Sequence, residues 1–118
     1  MPRVFRRLFL TVVVLGAVGC ISAARQEKAA GRVGLGSAYL REGNIPGAVG
    51  TLEEAARLDR RNWAAFNKLG LAYMAAGSTE KAGHAFERAM KLNEDEAELL
   101  VNYGNLLVRT GRLEEAAA

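Results

Sequence analysis

The sequence is short of the residues that most often carry chemistry. It has one cysteine, one histidine and two prolines in 118 residues. A single cysteine excludes an internal disulfide, and one cysteine with one histidine falls short of the ligand count of a zinc cluster. No apolar run reaches the roughly 20 residues that a membrane-spanning helix needs. The run Leu8–Val18 has 11. Acidic residues are missing from positions 1–19, which hold Arg3, Arg6 and Arg7. Those three arginines equal the net charge of +3. The rest of the chain is balanced and has no global electrostatic reason to bind nucleic acid. What remains is half hydrophobic and one quarter charged, a composition that supports one small packed domain.

The N-terminal segment reads as an address. Three arginines followed by an apolar run of this length have the flanks of a secretory signal. Ala17, Val18 and Gly19 then precede Cys20, and small residues suit a peptidase site that admits an extended backbone. A cysteine directly after them resembles the lipobox of bacterial lipoproteins. The resemblance implies a diacylglycerol on the Cys20 thiol, cleavage before it and acylation of the new amino group. Several acyl chains, each adding about 0.8 kcal/mol per buried CH₂, hold a protein firmly on a bilayer. Ile21 rather than Asp after the cysteine implies export to the outer membrane, with the chain facing the periplasm. No cofactor other than this covalent lipid is expected.

From there on the sequence repeats itself. Gly36, Gly70 and Gly104 are 34 residues apart, and the spacing recurs without gaps. Leu35, Leu69 and Tyr103 precede these glycines; Tyr39, Tyr73 and Leu107 follow three residues later. Gly43, Gly77 and Gly111 come next, then Ala48, Ala82 and Ala116. Apolar residues at i and i+4 share one helical face. A mid-helix glycine costs about 1 kcal/mol against alanine, so its recurrence predicts close approach of a paired helix. Gly43, Gly77 and Gly111 are placed to end helices in the left-handed conformation, Asn44 and Ser78 to cap the next ones, and Pro46 in a first turn where a missing N–H does little harm. The unit is two antiparallel helices joined by a short turn.

This pattern resembles the tetratricopeptide repeat, with its L-G-x₂-Y, A-x₃-F order. The clearest unit reads Phe66 to Tyr73 and then Ala82 to Phe86. The expected fold is an all-α tetratricopeptide-repeat α-solenoid of about two and a half repeats. Residues 1–19 are the signal peptide, 20–28 the lipidated cysteine and a polar spacer, and 29–62, 63–96 and 97–118 the three units, the last incomplete. Helices are expected near 29–42, 45–58, 63–76, 79–92 and 97–110. Glu114 and Glu115 would then sit in the first turn of a following helix.

No catalytic constellation is present, and an enzyme is not expected. His84 lies in a helix between Gly83 and Ala85 with no acid or serine assigned to it. Glu94, Asp95, Glu96 and Glu98 gather where one helix ends and the next begins, which compensates helix N-terminal charge better than it builds a metal site. The aromatic residues fall on repeat core positions. Solenoids of this kind bind through the concave face lined by the first helix of each unit. By resemblance that face comprises Val33, Ser37, Leu40 and Arg41 from unit one, Asn67, Lys68, Leu71 and Met74 from unit two, and Val101, Asn102, Asn105, Val108 and Arg109 from unit three. It is an apolar stripe with amides suited to an extended peptide, and Met74 adapts to irregular apolar partners. The peptide-carboxylate clamp of some family members is unmatched, with Val33 where a Lys and Leu71 where an Asn would stand. Neither a nucleic acid nor a small-molecule substrate is expected.

A lipobox followed at once by such repeats is similar to the type IV pilus biogenesis/stability (pilotin) lipoproteins. Arg32 to Asn44 and Val101 to Arg112, the latter with Asn102-Tyr103-Gly104 and a Gly111-Arg112 turn, carry the likeness. It implies a protein that escorts the pilus secretin to the outer membrane and promotes its multimerisation. The alternatives are another outer-membrane or periplasmic scaffold, recruiting cell-wall hydrolases or assembly factors, and a fragment of a longer repeat protein.

Overall fold

The computed structural model describes residues 2–117, with side-chain surroundings for residues 14 and 16–112. Arg3, Arg6, Arg7, Glu114, Glu115 and Ala116 therefore carry expectations that lie outside the described side chains. Five helices follow one another: α1 (Pro2–Glu42), α2 (Ile45–Leu58), α3 (Trp63–Ala75), α4 (Thr79–Leu92) and α5 (Ala97–Ala117). No strand occurs among the described residues. The chain is an all-α solenoid of antiparallel helix pairs.

Its turns repeat to the atom. Gly43 and Gly77 have φ of 76° and 79°, the left-handed region that glycine enters without a Cβ penalty. Around Gly43, the N–H of Asn44 reaches Tyr39 O at 2.9 Å and that of Gly43 reaches Leu40 O at 3.2 Å. Thirty-four residues on, Ser78 reaches Tyr73 O at 2.9 Å and Gly77 reaches Met74 O at 3.1 Å. These bonds satisfy carbonyls that the helix end leaves free. The following helices start differently. Asn44 accepts the N–H of Gly47 at 3.1 Å, with Pro46 in the first turn, whereas Ser78 makes no side-chain cap bond. Asn62 caps α3 by accepting the N–H of Ala65 at 3.1 Å.

α1 packs on α2 and α3 on α4, with α2 bridging to α3 and α4 to α5. α1, α3 and α5 line up as an inner layer, while α2 and α4 form an outer layer and do not touch. Alanine makes the pairing close. Ala48, Ala55, Ala82 and Ala89 are fully buried. Between them Leu52 and Phe86, equally buried, press onto the glycines of the facing helix: a Cβ on Gly36 would stand 2.5 Å from Leu52 Cγ, and one on Gly70 2.5 Å from Phe86 Cε1. Two core clusters result, one centred on Leu52 and Leu69, the other on Phe86, Leu99 and Leu106.

Two expectations are corrected. The first helix, expected near 29–42, starts far earlier: α1 runs unbroken for 41 residues and includes residues 20–28. Cys20 to Ala30 contains neither glycine nor proline and is rich in helix formers, so propensity carries the helix through a stretch exposed almost all round. At 1.5 Å per residue a helix of this length spans about 62 Å, and the molecule measures 77 Å along its longest axis. The second correction is at Gly111, which ends no helix: α5 continues to Ala117. Among the described residues no helix is long and apolar enough to cross a membrane.

Candidate partner-binding face

The inner layer brings the expected residues onto one side of the molecule, but it does not leave them equally available. Val33 and Leu40 pack against the first core cluster and Leu71 and Met74 against the second. All four are half-buried, so the apolar stripe is largely the inner wall of the core. Ser37 turns its hydroxyl inward to donate to Val33 O at 2.8 Å. Arg41, Asn105 and Arg109 are exposed.

Asn67 requires a correction. It is buried and its amide is occupied within the fold. Its Oδ1 accepts Asn102 Nδ2 at 3.0 Å, and its Nδ2 donates to Glu98 Oε1 at 3.4 Å. Lys68 Nζ joins the same carboxylate at 3.2 Å. The four side chains stitch α3 to α5, and no buried side-chain N or O among the described residues is left without a partner. Burial explains the arrangement, because an unpaired amide in the interior costs about 1–3 kcal/mol. Glu98, read from sequence only as charge compensation, is the hub. Its position four residues before Asn102, on the same face of α5, is the signal that was available.

The free polar surface is thus concentrated on α5, where Asn105 and Arg109 stand beside the exposed Val101 and Val108. Such a surface can hydrogen-bond a peptide backbone and take an acidic or amide side chain. It holds no proton-transfer pair. His84 is exposed on α4, 3.9 Å from both Glu80 and Glu87. Among the described residues no group of three or more His, Cys, Asp or Glu is placed to hold a metal.

On the outer flank Tyr73 donates its hydroxyl to Glu53 Oε1 at 2.8 Å. Burial pushes the Tyr73 hydroxyl up to about 12, with the bond to Glu53 and its negative charge adding to the rise. Lys81 lies over the same ring at 5.7 Å, and Arg88 over Phe66 at 5.8 Å, so cations cover the aromatic residues that the core leaves half-buried.

The sequence matches the profile of the tetratricopeptide repeat over residues 33–89 and again over 67–118. No curated protein matches the chain. Among solved structures, the C-terminal TPR-containing domain of a Plasmodium falciparum FK506-binding protein superposes with a TM-score of 0.71 at 21% identity, over 77% of this chain and 60% of that one. Pseudomonas aeruginosa pilF superposes with a TM-score of 0.70 at 28% identity, over 79% of this chain and 42% of that one. The first TPR of Spaghetti (RPAP3), bound to the HSP90 peptide SRMEEVD, gives 0.68 at 21% identity, over 71% of this chain and 68% of that one. The chain thus spans less than two thirds of the first two of these structures. It belongs to the tetratricopeptide repeat family.

Proposed function

We propose that this tetratricopeptide-repeat protein is a lipid-anchored scaffold of the bacterial envelope, and that it serves type IV pilus biogenesis by assembling the secretin. The observation that carries the reading is the place of Cys20. The only cysteine of the chain stands at the end of an arginine-led apolar run and directly before a repeat array. A lipid there delivers the solenoid to the outer membrane, and the solenoid supplies the binding face. The Asn102-Tyr103-Gly104 opening of the third unit and the 28% identity to P. aeruginosa pilF support the same reading.

The family fold is typically a scaffold that acts by holding proteins together, and this chain offers Asn105 and Arg109 for that purpose. A chaperone-tail carboxylate, like the HSP90 peptide held by the Spaghetti repeats, is a poor match. Val33 and Leu71 stand where a carboxylate needs donors, and both pack against the core.

The test is capture of the secretin from detergent-solubilised envelopes by the tagged full-length chain. Asn105→Ala combined with Arg109→Ala is expected to lower capture about tenfold while helicity stays unchanged, since both residues are exposed. Full capture by that variant puts the contact elsewhere. Absence of the secretin from captured material, with a murein hydrolase in its place, supports the general envelope scaffold instead.

A further inference from the structure

The corner between α1 and the α2–α3 turn gathers arginines that the fold does not use. Among the described residues Ala29 is the first of α1 to be buried, and residues 20–28 before it are exposed. Where this overhang passes the end of α2, a cleft of about 480 Å³ opens. Ile21, Ser22, Arg25 and Gln26 form one wall, and residues 58–61 form the other. Arg25, Arg60 and Arg61 are exposed and belong to no ion pair among the described residues. Arg32, two turns further along α1, is by contrast held by Glu54 at 3.3 Å. Asp59 is the one acid lining the cleft. Its carboxylate accepts the Arg61 N–H at 3.1 Å and so helps to close the turn.

The repeat supplies an internal comparison. Asp59, Arg60 and Arg61 correspond, 34 residues on, to Asn93, Glu94 and Asp95. Asp59 and Asn93 are both C-caps, with N–H groups bonded back to Ala55 O and Ala89 O. The next two positions are basic in one turn and acidic in the other, so the turn itself demands neither sign. The basic pair stands at the turn that meets α1 near Cys20. Cys20 and Arg25 are five residues apart, about 7.5 Å along a helix. The headgroup layer on each side of a bilayer's hydrocarbon core is about 5–7 Å thick. A lipid on Cys20 therefore holds the cleft at the level of the lipid phosphates, whatever tilt α1 takes. Cleavage before Cys20 also removes Val18, which lines the cleft on that side, and opens it towards the membrane.

We propose that this cleft holds the phosphodiester headgroup of an anionic phospholipid in the membrane that carries the anchor. The inference rests on the lipid anchor at Cys20 proposed above. A guanidinium group binds phosphate through paired N–H donors in a fixed fork, and three of them around one cleft outweigh the single carboxylate. A zwitterionic headgroup brings its own cation against the same arginines and fits worse. Ile21, 56% exposed beside Cys20, meets the glycerol and acyl end of the lipid. The bound headgroup is a second point of attachment beside the acyl chains. It fixes the tilt of α1, and with it the side of the solenoid that faces away from the membrane.

The test is native mass spectrometry of the mature chain, purified in dodecyl maltoside and titrated with phosphatidylglycerol. The mass before titration reads the anchor. A chain that begins at acylated Cys20 upholds it, and an unacylated chain overturns both the anchor and this proposal. The titration reads the cleft. One phosphatidylglycerol is expected to bind saturably, with an apparent Kd raised about tenfold by Arg25→Gln, Arg60→Gln and Arg61→Gln together. All three residues are exposed, so circular dichroism should show that variant folded. Phosphatidylcholine is expected to bind about tenfold more weakly than phosphatidylglycerol. Binding that the triple variant leaves unchanged, absence of saturable binding, or equal binding of phosphatidylcholine overturns the proposal and leaves the anchor standing. Displacement of the lipid by inorganic phosphate at equal concentration overturns it too, by making the cleft a site for a free anion.

Discussion

At the scale of single residues, the same amino acid in the same repeat position carries opposite energetic signs. Gly70 is roofed by Phe86, so Gly70→Ala overfills the contact and should cost about 1–3 kcal/mol. Gly104 is open, so Gly104→Ala should gain about 0.5–1 kcal/mol from helix propensity alone. Urea melts of the two variants check the pair, and equal signs would contradict the assigned packing. The glycine register was legible from sequence, because a 34-residue period needs only counting. The difference between the glycines was not, because it depends on whether a helix covers each one. Tyr73 offers a second test at this scale. Its hydroxyl ionises near 10 in an unfolded chain and is pushed up to about 12 when folded. The stability it contributes is present below pH 10 and is lost as the pH rises towards 12. An ultraviolet titration of the native chain against Tyr73→Phe should show the missing component near pH 12. Glu53→Gln should lower it, without returning it to 10, since burial contributes most.

At the scale of elements, helix ends were readable where a residue enforces them and unreadable where only the neighbours decide. Gly43 and Gly77 terminate helices as their chemistry demands. Gly111, at the same repeat position, lies inside α5 and does not. The polar stretch 20–28 looked like a linker by composition, yet nothing in it interrupts α1. The binding face was legible as a set of repeat positions and misjudged at Asn67. Position alone cannot show that Glu98 and Asn102, more than 30 residues away, close over that amide. Asn67→Ala strips the α3–α5 contact of its buried partner and should destabilise by about 1–3 kcal/mol. A melt within about 0.3 kcal/mol of wild type would mean that water replaces the amide at no cost. Ala82→Trp, at a fully buried contact of α4, should cost about 1–3 kcal/mol or more through overpacking, read as a lowered thermal midpoint.

At the scale of the whole molecule, a long first helix leads into two repeat pairs and a further inner helix. Its sequence divides into a cationic, apolar N-terminal segment and a balanced repeat array, and the proposed role uses both parts. The anchor is testable alone. Cys20→Ser should move the protein from the membrane fraction to the soluble fraction, and retention in the membrane would contradict lipidation. The role itself is tested most directly on the secretin, in cells with and without this gene, by resolving envelope extracts on a denaturing gel. The account predicts that heat-resistant secretin multimers give way to monomers when the gene is deleted, and return when it is restored. Multimers that persist at full level without the gene would contradict it.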